Sequence, residues 1–225
     1  MDRSAAELLV MIDHAVLKPD CTRAEIIEAC EIGREHRLGS ICVPPAWANV
    51  AVQQLAGAAT PVSSVVGFPF GFTLAVTKAE EARSLIAIGC AELDMVINIS
   101  ALRSGEYGIV TADIAAVAES IGACRDGPVL KVILETCYLS EEQIARGVNA
   151  AVDGGAQFVK TSTGFGPHGA TVEHVGMLRR LAPPHIGVKA AGGIRNLADM
   201  RAMVAAGADR IGTSATKSII AELDV

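Results

Sequence analysis

Short, almost continuously apolar runs recur along this chain, and most follow a longer amphipathic stretch that ends in glycine. Ile88-Gly89-Cys90 leads into the run at 93–97, Gly154-Gly155-Ala156 into 158–160, and Ala206-Gly207-Ala208 into 210–212. A glycine closing a helix, then a small residue, then a buried strand is what a tight helix-to-strand turn requires. Strands apolar on both faces suit a parallel sheet covered on both sides. The runs predict strands near 11–16, 41–43, 62–67, 93–97, 130–134, 158–160, 187–189 and 210–212. In the first intervening segment Ile26, Ile27, Cys30 and Gly33 share one face, opposite Glu25, Glu28, Glu31 and Glu35. Helical patterns also cover 77–88, 109–121, 141–152, 172–181, 197–206 and 216–223. Eight strand–helix units in 225 residues predict a compact (β/α)8 barrel spanning 1–225 as one domain. A doubly wound open sheet is the competitor that the alternation alone leaves standing.

The chain is 51% hydrophobic and 20% charged, which excludes a disordered segment and demands a substantial core. Its net charge of −6 offers no basic footprint for nucleic acid or an anionic membrane. Residues 38–77 carry no charge, yet Pro44, Pro45, Asn49, Gln53, Gln54, Gly57, Pro61, Gly67, Pro69 and Gly71 interrupt them. A membrane span needs about twenty mostly apolar residues in one helix, so this stretch reads as buried interior. The first ten residues, with Asp2, Arg3 and Glu7, do not read as an export signal. The cysteines, Cys21, Cys30, Cys42, Cys90, Cys124 and Cys137, form no C-x-x-C pair, so reduced core thiols in a cytoplasmic protein are expected. No H-x-x-x-H spacing occurs among the histidines, and no metal site is expected.

Reactive groups of such a barrel belong at the C-terminal ends of its strands. The polar residues falling there are Asp13, Cys42, Asp94, Asn98, Lys131, Glu135, Lys160 and Lys189. Burying an ammonium costs several kcal/mol unless it is paired or neutralised. Each strand lysine could simply pair with a carboxylate in a core ion network. Lys160 and Lys189, however, fall on consecutive strands, which lie roughly 4.8 Å apart. Two cations in one cavity would depress each other's pKa. Lowering a lysine from ~10.4 to ~7 corresponds to about 4–5 kcal/mol and leaves an appreciable neutral fraction. A neutral amine attacks carbonyls and forms Schiff bases, and Asp94 can relay protons through a water.

The stretches 189–195 and 212–215, after the seventh and eighth strands, are rich in glycine and small residues. Loops there commonly present bare N–H groups to a phosphate, although Gly-Gly by itself makes tight turns too. Gly164-Phe165-Gly166-Pro167-His168-Gly169 fits G-x-G-x-x-G literally. The dinucleotide fingerprint also needs an acidic residue about twenty positions on, and between Glu173 and Asp199 there is none. A nicotinamide cofactor is therefore not expected.

Longer strings then align in order over nearly the whole chain. They are Ile12-Asp13-His14 with Leu17-Lys18-Pro19, Ile41-Cys42-Val43, Val66-Gly67-Phe68-Pro69, Glu92-Leu93-Asp94-Met95, and Leu130-Lys131-Val132-Ile133-Leu134-Glu135. The most specific are Phe158-Val159-Lys160-Thr161-Ser162-Thr163-Gly164, Val188-Lys189-Ala190-Ala191-Gly192-Gly193-Ile194-Arg195 and Arg210-Ile211-Gly212-Thr213-Ser214. The set resembles the deoxyribose-phosphate aldolase family, class I aldolases on a (β/α)8 barrel. The resemblance implies that Lys160 forms the Schiff base, Lys189 tunes it and Asp94 relays protons. It places Asp13 and Lys131 in the surrounding polar network and Cys42 in the substrate pocket. Thr163, Gly164, Gly192, Gly193, Gly212 and Ser214 would surround a phosphate. It further implies reversible cleavage of 2-deoxy-D-ribose 5-phosphate without metal or cofactor, by a homodimer.

Ala15 stands where the family usually carries Thr, Pro44 where Cys-Val-Asn-Pro is common, and Ala215 where Ser is frequent. Gly166-Pro167-His168 replaces a more usual Ser/Thr-Gly-rich segment, and with the sequence stopping at Val225 no tyrosine-bearing tail is expected. Two other readings stay open from the residues: an aldolase for another phosphorylated sugar, and a phosphate-binding barrel without catalysis.

Overall fold

In a computed structural model that describes residues 3–123 and 127–223, the eight strands close on one another. They are β1 (Ile12–Ala15), β2 (Ser40–Val43), β3 (Val62–Val66), β4 (Glu92–Val96), β5 (Val129–Ile133), β6 (Phe158–Lys160), β7 (Gly187–Ala191) and β8 (Arg210–Thr213). Each pairs in parallel with the next, and β8 returns to β1 with Ile211 opposite Ile12. An open sheet would leave two unpaired edges, so closure excludes the doubly wound alternative. This is a (β/α)8 TIM barrel.

The helices follow from amphipathic spacing and from caps. Thr22 and Glu25 form a capping box at the start of α2 (Arg23–His36), after the short N-terminal α1 (Ala5–Leu9). The others are α3 (Ala48–Gln54), α4 (Ala75–Ile88), α5 (Ile99–Arg103), α6 (Tyr107–Ile121), α7 (Glu141–Asp153), α8 (Val172–Leu181), α9 (Leu197–Ala205) and α10 (Thr216–Glu222). Neither α3 nor the short α1 and α5 carries a periodic pattern strong enough to read from the sequence. Among the described residues no helix is long and apolar enough to cross a membrane.

Strand parity separates two interiors. Ile41, Leu93, Met95, Val132, Val159, Val188 and Ile211 join the apolar cluster formed with the helices. The alternate positions include Asp13, Glu92, Asp94, Lys131, Lys160, Lys189 and Arg210, whose side chains meet one another inside the barrel. An apolar sleeve thus surrounds a charged plug.

The uncharged stretch 38–77 is not buried throughout. Phe70, Phe72 and Leu74 are 59%, 69% and 72% exposed, on the loop between β3 and α4. That loop turns at Gly71, where φ is +73° and a Cβ would lie 1.8 Å from the Ile97 carbonyl oxygen. Its path is set by backbone packing, which carries the side chains after it outward onto the rim. Cys30, Cys42 and Cys90 are buried thiols, whereas Cys21 and Cys137 are only half-buried; Cys124 lies outside the described residues.

Behind the plug, between α4 and α6, Lys78 is wholly enclosed. Its ammonium donates to Asp113 Oδ2 at 2.6 Å and to the Val96 carbonyl at 2.9 Å. Removing one partner of a buried pair strands the other charge, which typically costs about 3–5 kcal/mol. Lys78→Met should lower unfolding free energy by that order in urea titrations, and Lys78→Met with Asp113→Leu should recover most of it. A single variant with an unchanged midpoint would show the pair to be without consequence.

Candidate active site

The plug is built by consecutive strands presenting charges at alternate positions. Asp94 pairs in register with Lys131, Lys160 with Lys189, and Lys189 with Arg210. Asp94 Oδ2 lies 2.6 Å from Lys160 Nζ and 2.7 Å from Lys189 Nζ, and Asp94 Oδ1 lies 3.0 Å from Lys131 Nζ. Lys189 Nζ also lies 2.5 Å from Asp13 Oδ2, and Lys131 Nζ lies 2.5 Å from Glu92 Oε2. Arg210 bonds to Asp13 and, at 2.8 Å, to Glu92 Oε2.

Four cations, Lys131, Lys160, Lys189 and Arg210, therefore share three carboxylates, Asp13, Glu92 and Asp94. One proton is in excess if every group is ionised. Lys160 is the member that gives it up most easily. Burial pushes its ammonium below the ordinary lysine value and Lys189 pushes the same way, against the attraction of Asp94. Lys189 behaves oppositely to the expected mutual depression. Burial opposes its charge, but Asp13 and Asp94 outweigh burial and hold it above the usual value. Lys131 is likewise raised, because Asp94, Asp13 and Glu92 overcome its burial. Burial works against ionised Asp94 as well, yet Lys131, Lys160 and Lys189 keep its carboxyl well below the usual range. All three lysines thus sit in a paired core network, and Lys160 differs in that its one carboxylate does not outweigh burial.

Above the plug a cavity of about 420 Å³ opens at the C-terminal ends of the strands. Lys160 and Lys189 form its floor with Cys42, whose thiol burial pushes up, with Asp94 adding to the effect. Thr163, Gly164, Gly192, Gly193, Gly212 and Ser214 all line it. Asp13, Asp94 and Lys131 do not reach the wall and lie in the plug beneath. Gly193 has φ +81°, a conformation that a side chain disfavours. At Gly212 a Cβ would come within 2.9 Å of Ala191 Cβ and 3.2 Å of Lys189 Cε, narrowing the cavity floor. Ala15 also lines the cavity. Asn98 instead caps α5, accepting from the Ala101 amide at 3.1 Å.

Sequence reading assigned no role to Glu92 and Arg210. The signal was available: each precedes a predicted site residue, Asp94 or Gly212, by two positions on its strand, and period two puts them on the same inner face. It also missed Lys18 and Arg195 at the cavity wall.

The comparisons with known proteins converge on one family. The model of the DeoC/LacD family aldolases matches residues 7–220. The chain belongs to this family. A deoxyribose-phosphate aldolase of Caldanaerobacter subterraneus is 45% identical over 221 residues, covering 98% of this chain and 95% of that protein. The structure of a putative deoxyribose-phosphate aldolase from Coccidioides immitis superposes with a TM-score of 0.94 at 35% identity, covering 99% of this chain and 88% of that one. The tetrameric deoxyribose phosphate aldolase of Aeropyrum pernix superposes with a TM-score of 0.90 at 29% identity, covering 98% and 92%.

The plug links stability to pH in a defined direction. Cationic neighbours hold Asp94 and Asp13 below the ordinary carboxylate pKa despite their burial. Their contribution is complete above the unfolded value of about 3.9 and is lost as pH falls through the folded values. Burial also pushes the His14 imidazole down to about 4, so the urea midpoint should decline gradually below about pH 6.5 and more steeply below about pH 4. A midpoint that rises on acidification would contradict the ionised plug.

Proposed function

We infer that this chain is a class I aldolase that reversibly cleaves 2-deoxy-D-ribose 5-phosphate to acetaldehyde and D-glyceraldehyde 3-phosphate through a Schiff base on Lys160. The observation that carries the reading is the sharing of Asp94 Oδ2 by Lys160 and Lys189, which leaves one cation too many directly beneath the cavity. Deprotonated Lys160 attacks C1 of the open-chain sugar, and the carbinolamine loses water to give the protonated imine. The C2–C3 bond then breaks as the C3 hydroxyl loses its proton. Its electron pair enters the enamine, and C3 leaves as the aldehyde carbon of glyceraldehyde 3-phosphate. Protonation of the enamine at C2 and hydrolysis release acetaldehyde and restore the amine.

The other residues take supporting roles. Asp94 stays ionised and relays protons through water rather than retaining them. Lys189 stays charged and biases Lys160 toward the neutral form. Asp13 and Lys131 hold the plug in place, and Cys42 forms part of the pocket wall. The phosphate is received by backbone N–H groups around Gly164, Gly192, Gly193, Gly212 and Ser214, with Thr163 beside them. No metal or cofactor takes part. Free thiols at Cys30, Cys42 and Cys90 support a reducing, cytoplasmic setting. The exposed Phe70–Phe72 stack, with ring centroids 5.4 Å apart, supports an apolar contact between two copies in a homodimer.

Acetaldehyde with borohydride should leave an ethyl group on Lys160 alone, located by peptide mass mapping, and EDTA should not prevent it. Lys160→Ala should lose both label and turnover. Lys189→Leu should fall steeply at neutral pH and recover in part as pH rises, because Asp94 then serves Lys160 undivided. Label on Lys189 would invert the assignment; label without turnover of the deoxy sugar phosphate would point to another phosphorylated sugar. Binding of sugar phosphate with neither label nor turnover would point to a non-catalytic barrel.

Gly193 tests the phosphate placement. Gly193→Val should raise KM for deoxyribose 5-phosphate tenfold or more, about 1.4 kcal/mol, with a much smaller change for unphosphorylated deoxyribose. Equal losses on both substrates would remove the phosphate from this loop.

A further inference from the structure

Among the described residues two that are not glycine have left-handed backbones. Arg37 does so where α2 ends, a common place for it. Glu135 does so at φ +57° and ψ +61°, just beyond β5, and it is 2% exposed. A side chain in that conformation is strained and persists only where its surroundings over-determine it. The Glu135 carbonyl accepts the Tyr138 N–H at 3.1 Å and Cys137 Sγ lies 3.8 Å from Glu135 Oε1, but across to the next strand's loop the carboxylate has one partner residue. The Glu135 carboxylate accepts the Thr163 N–H at 3.2 and 3.3 Å and the Thr163 hydroxyl as well. Thr163 Oγ1 in turn accepts the Phe165 N–H at 3.0 Å. The Thr136 N–H donates to the Thr161 carbonyl at 2.9 Å, so β5 and β6 stay joined up to this point. A Cβ on Gly166 would sit 2.8 Å from Cys137 Sγ and 3.3 Å from Glu135 Cδ, so the arm after Lys160 lies directly against the carboxylate.

Thr163, Gly164 and Phe165 form one wall of the cavity whose floor holds Lys160. The Glu135 carboxyl group lies buried beneath this wall at the cost of a left-handed backbone. Its contacts offer one return: a wall with a fixed backbone. We propose that Glu135 is a positioning residue that holds the Thr163–Phe165 arm in the conformation that receives the phosphate end of the substrate. This rests on the reading of the cavity as a sugar-phosphate site. Glu135 touches no reacting atom and acts through Thr163, and its loss leaves the Lys160–Asp94–Lys189 contacts in place.

Three variants separate carboxylate, backbone and fold. Glu135→Gly removes the carboxylate but relieves the backbone, Glu135→Gln keeps the volume and one acceptor, and Thr163→Val removes the hydroxyl partner. For Glu135→Gly, KM for deoxyribose 5-phosphate should rise tenfold or more, and several-fold more than KM for unphosphorylated deoxyribose. Borohydride labelling of Lys160 should persist. Glu135→Gln should show a smaller rise of the same selectivity, and it carries the test if the glycine variant does not fold. Combining Glu135→Gly with Thr163→Val should add little to either alone, since both break one contact. Equal KM rises on the two substrates, a fall in kcat without a KM change, or fully additive losses would overturn the proposal. Absence of label in the wild-type protein would instead overturn the Schiff-base reading and is distinguishable from all of these.

Discussion

The interior of this barrel is held by an unequal division of charge. Asp94 lies between Lys131, Lys160 and Lys189, and each of its oxygens is engaged at 3.0 Å or less. In a medium where each ion loses several kcal/mol of hydration, no member of such a network can be removed without exposing another. Lys131 and Lys189 each have a second carboxylate close by, whereas Lys160 has Asp94 alone. The same arrangement that makes the plug cohesive makes one of its lysines the weakest holder of a proton. Reactivity and stability come from one set of contacts.

The plug makes sense of an uneven division of labour between strands and loops. The strands supply groups whose positions are fixed by ladder register, such as Lys160 opposite Lys189. The loops supply backbone, kept bare at Gly193, and Gly212 on β8 keeps the cavity floor open above Lys189. Glu135 joins the two layers, since its carboxylate reaches from the end of β5 to the arm that follows Lys160. The helices take no direct part beyond closing the apolar sleeve and, at Lys78, anchoring the end of β4 through the Val96 carbonyl.

Three of the departures from the family pattern fall around this centre without entering it. Ala15 lines the cavity, Pro44 precedes the short turn after β2, and Ala215 stands just before α10. None of them contacts Asp94, Lys160 or Lys189 through a side-chain hydrogen bond, because none has a polar side chain to offer.

Sequence alone determined the eight strand–helix units and pointed to most of the candidate site, because parallel strands buried on both faces must be apolar and any charge inside them stands out; closure of the sheet then decided for the barrel. Lys131, Lys160, Lys189 and Asp94 were legible for that reason, and the glycines were legible because they follow the strands whose loops form the mouth. Four other things waited for the tertiary structure. Glu92 and Arg210 joined the plug only once closure set β8 beside β1 and across the barrel from β4. Lys189 proved to be raised, not lowered, because Asp13 on β1 reaches it, a contact between residues 176 positions apart that no local pattern encodes. The uncharged loop after β3 turned outward because Gly71 packs against the Ile97 carbonyl. Glu135 looked like one more polar strand end, and only its left-handed backbone and its bonds to Thr163 tied it to the arm after Lys160. Periodicity reports which way a side chain points from its own element; which partner it finds there depends on where the chain closes.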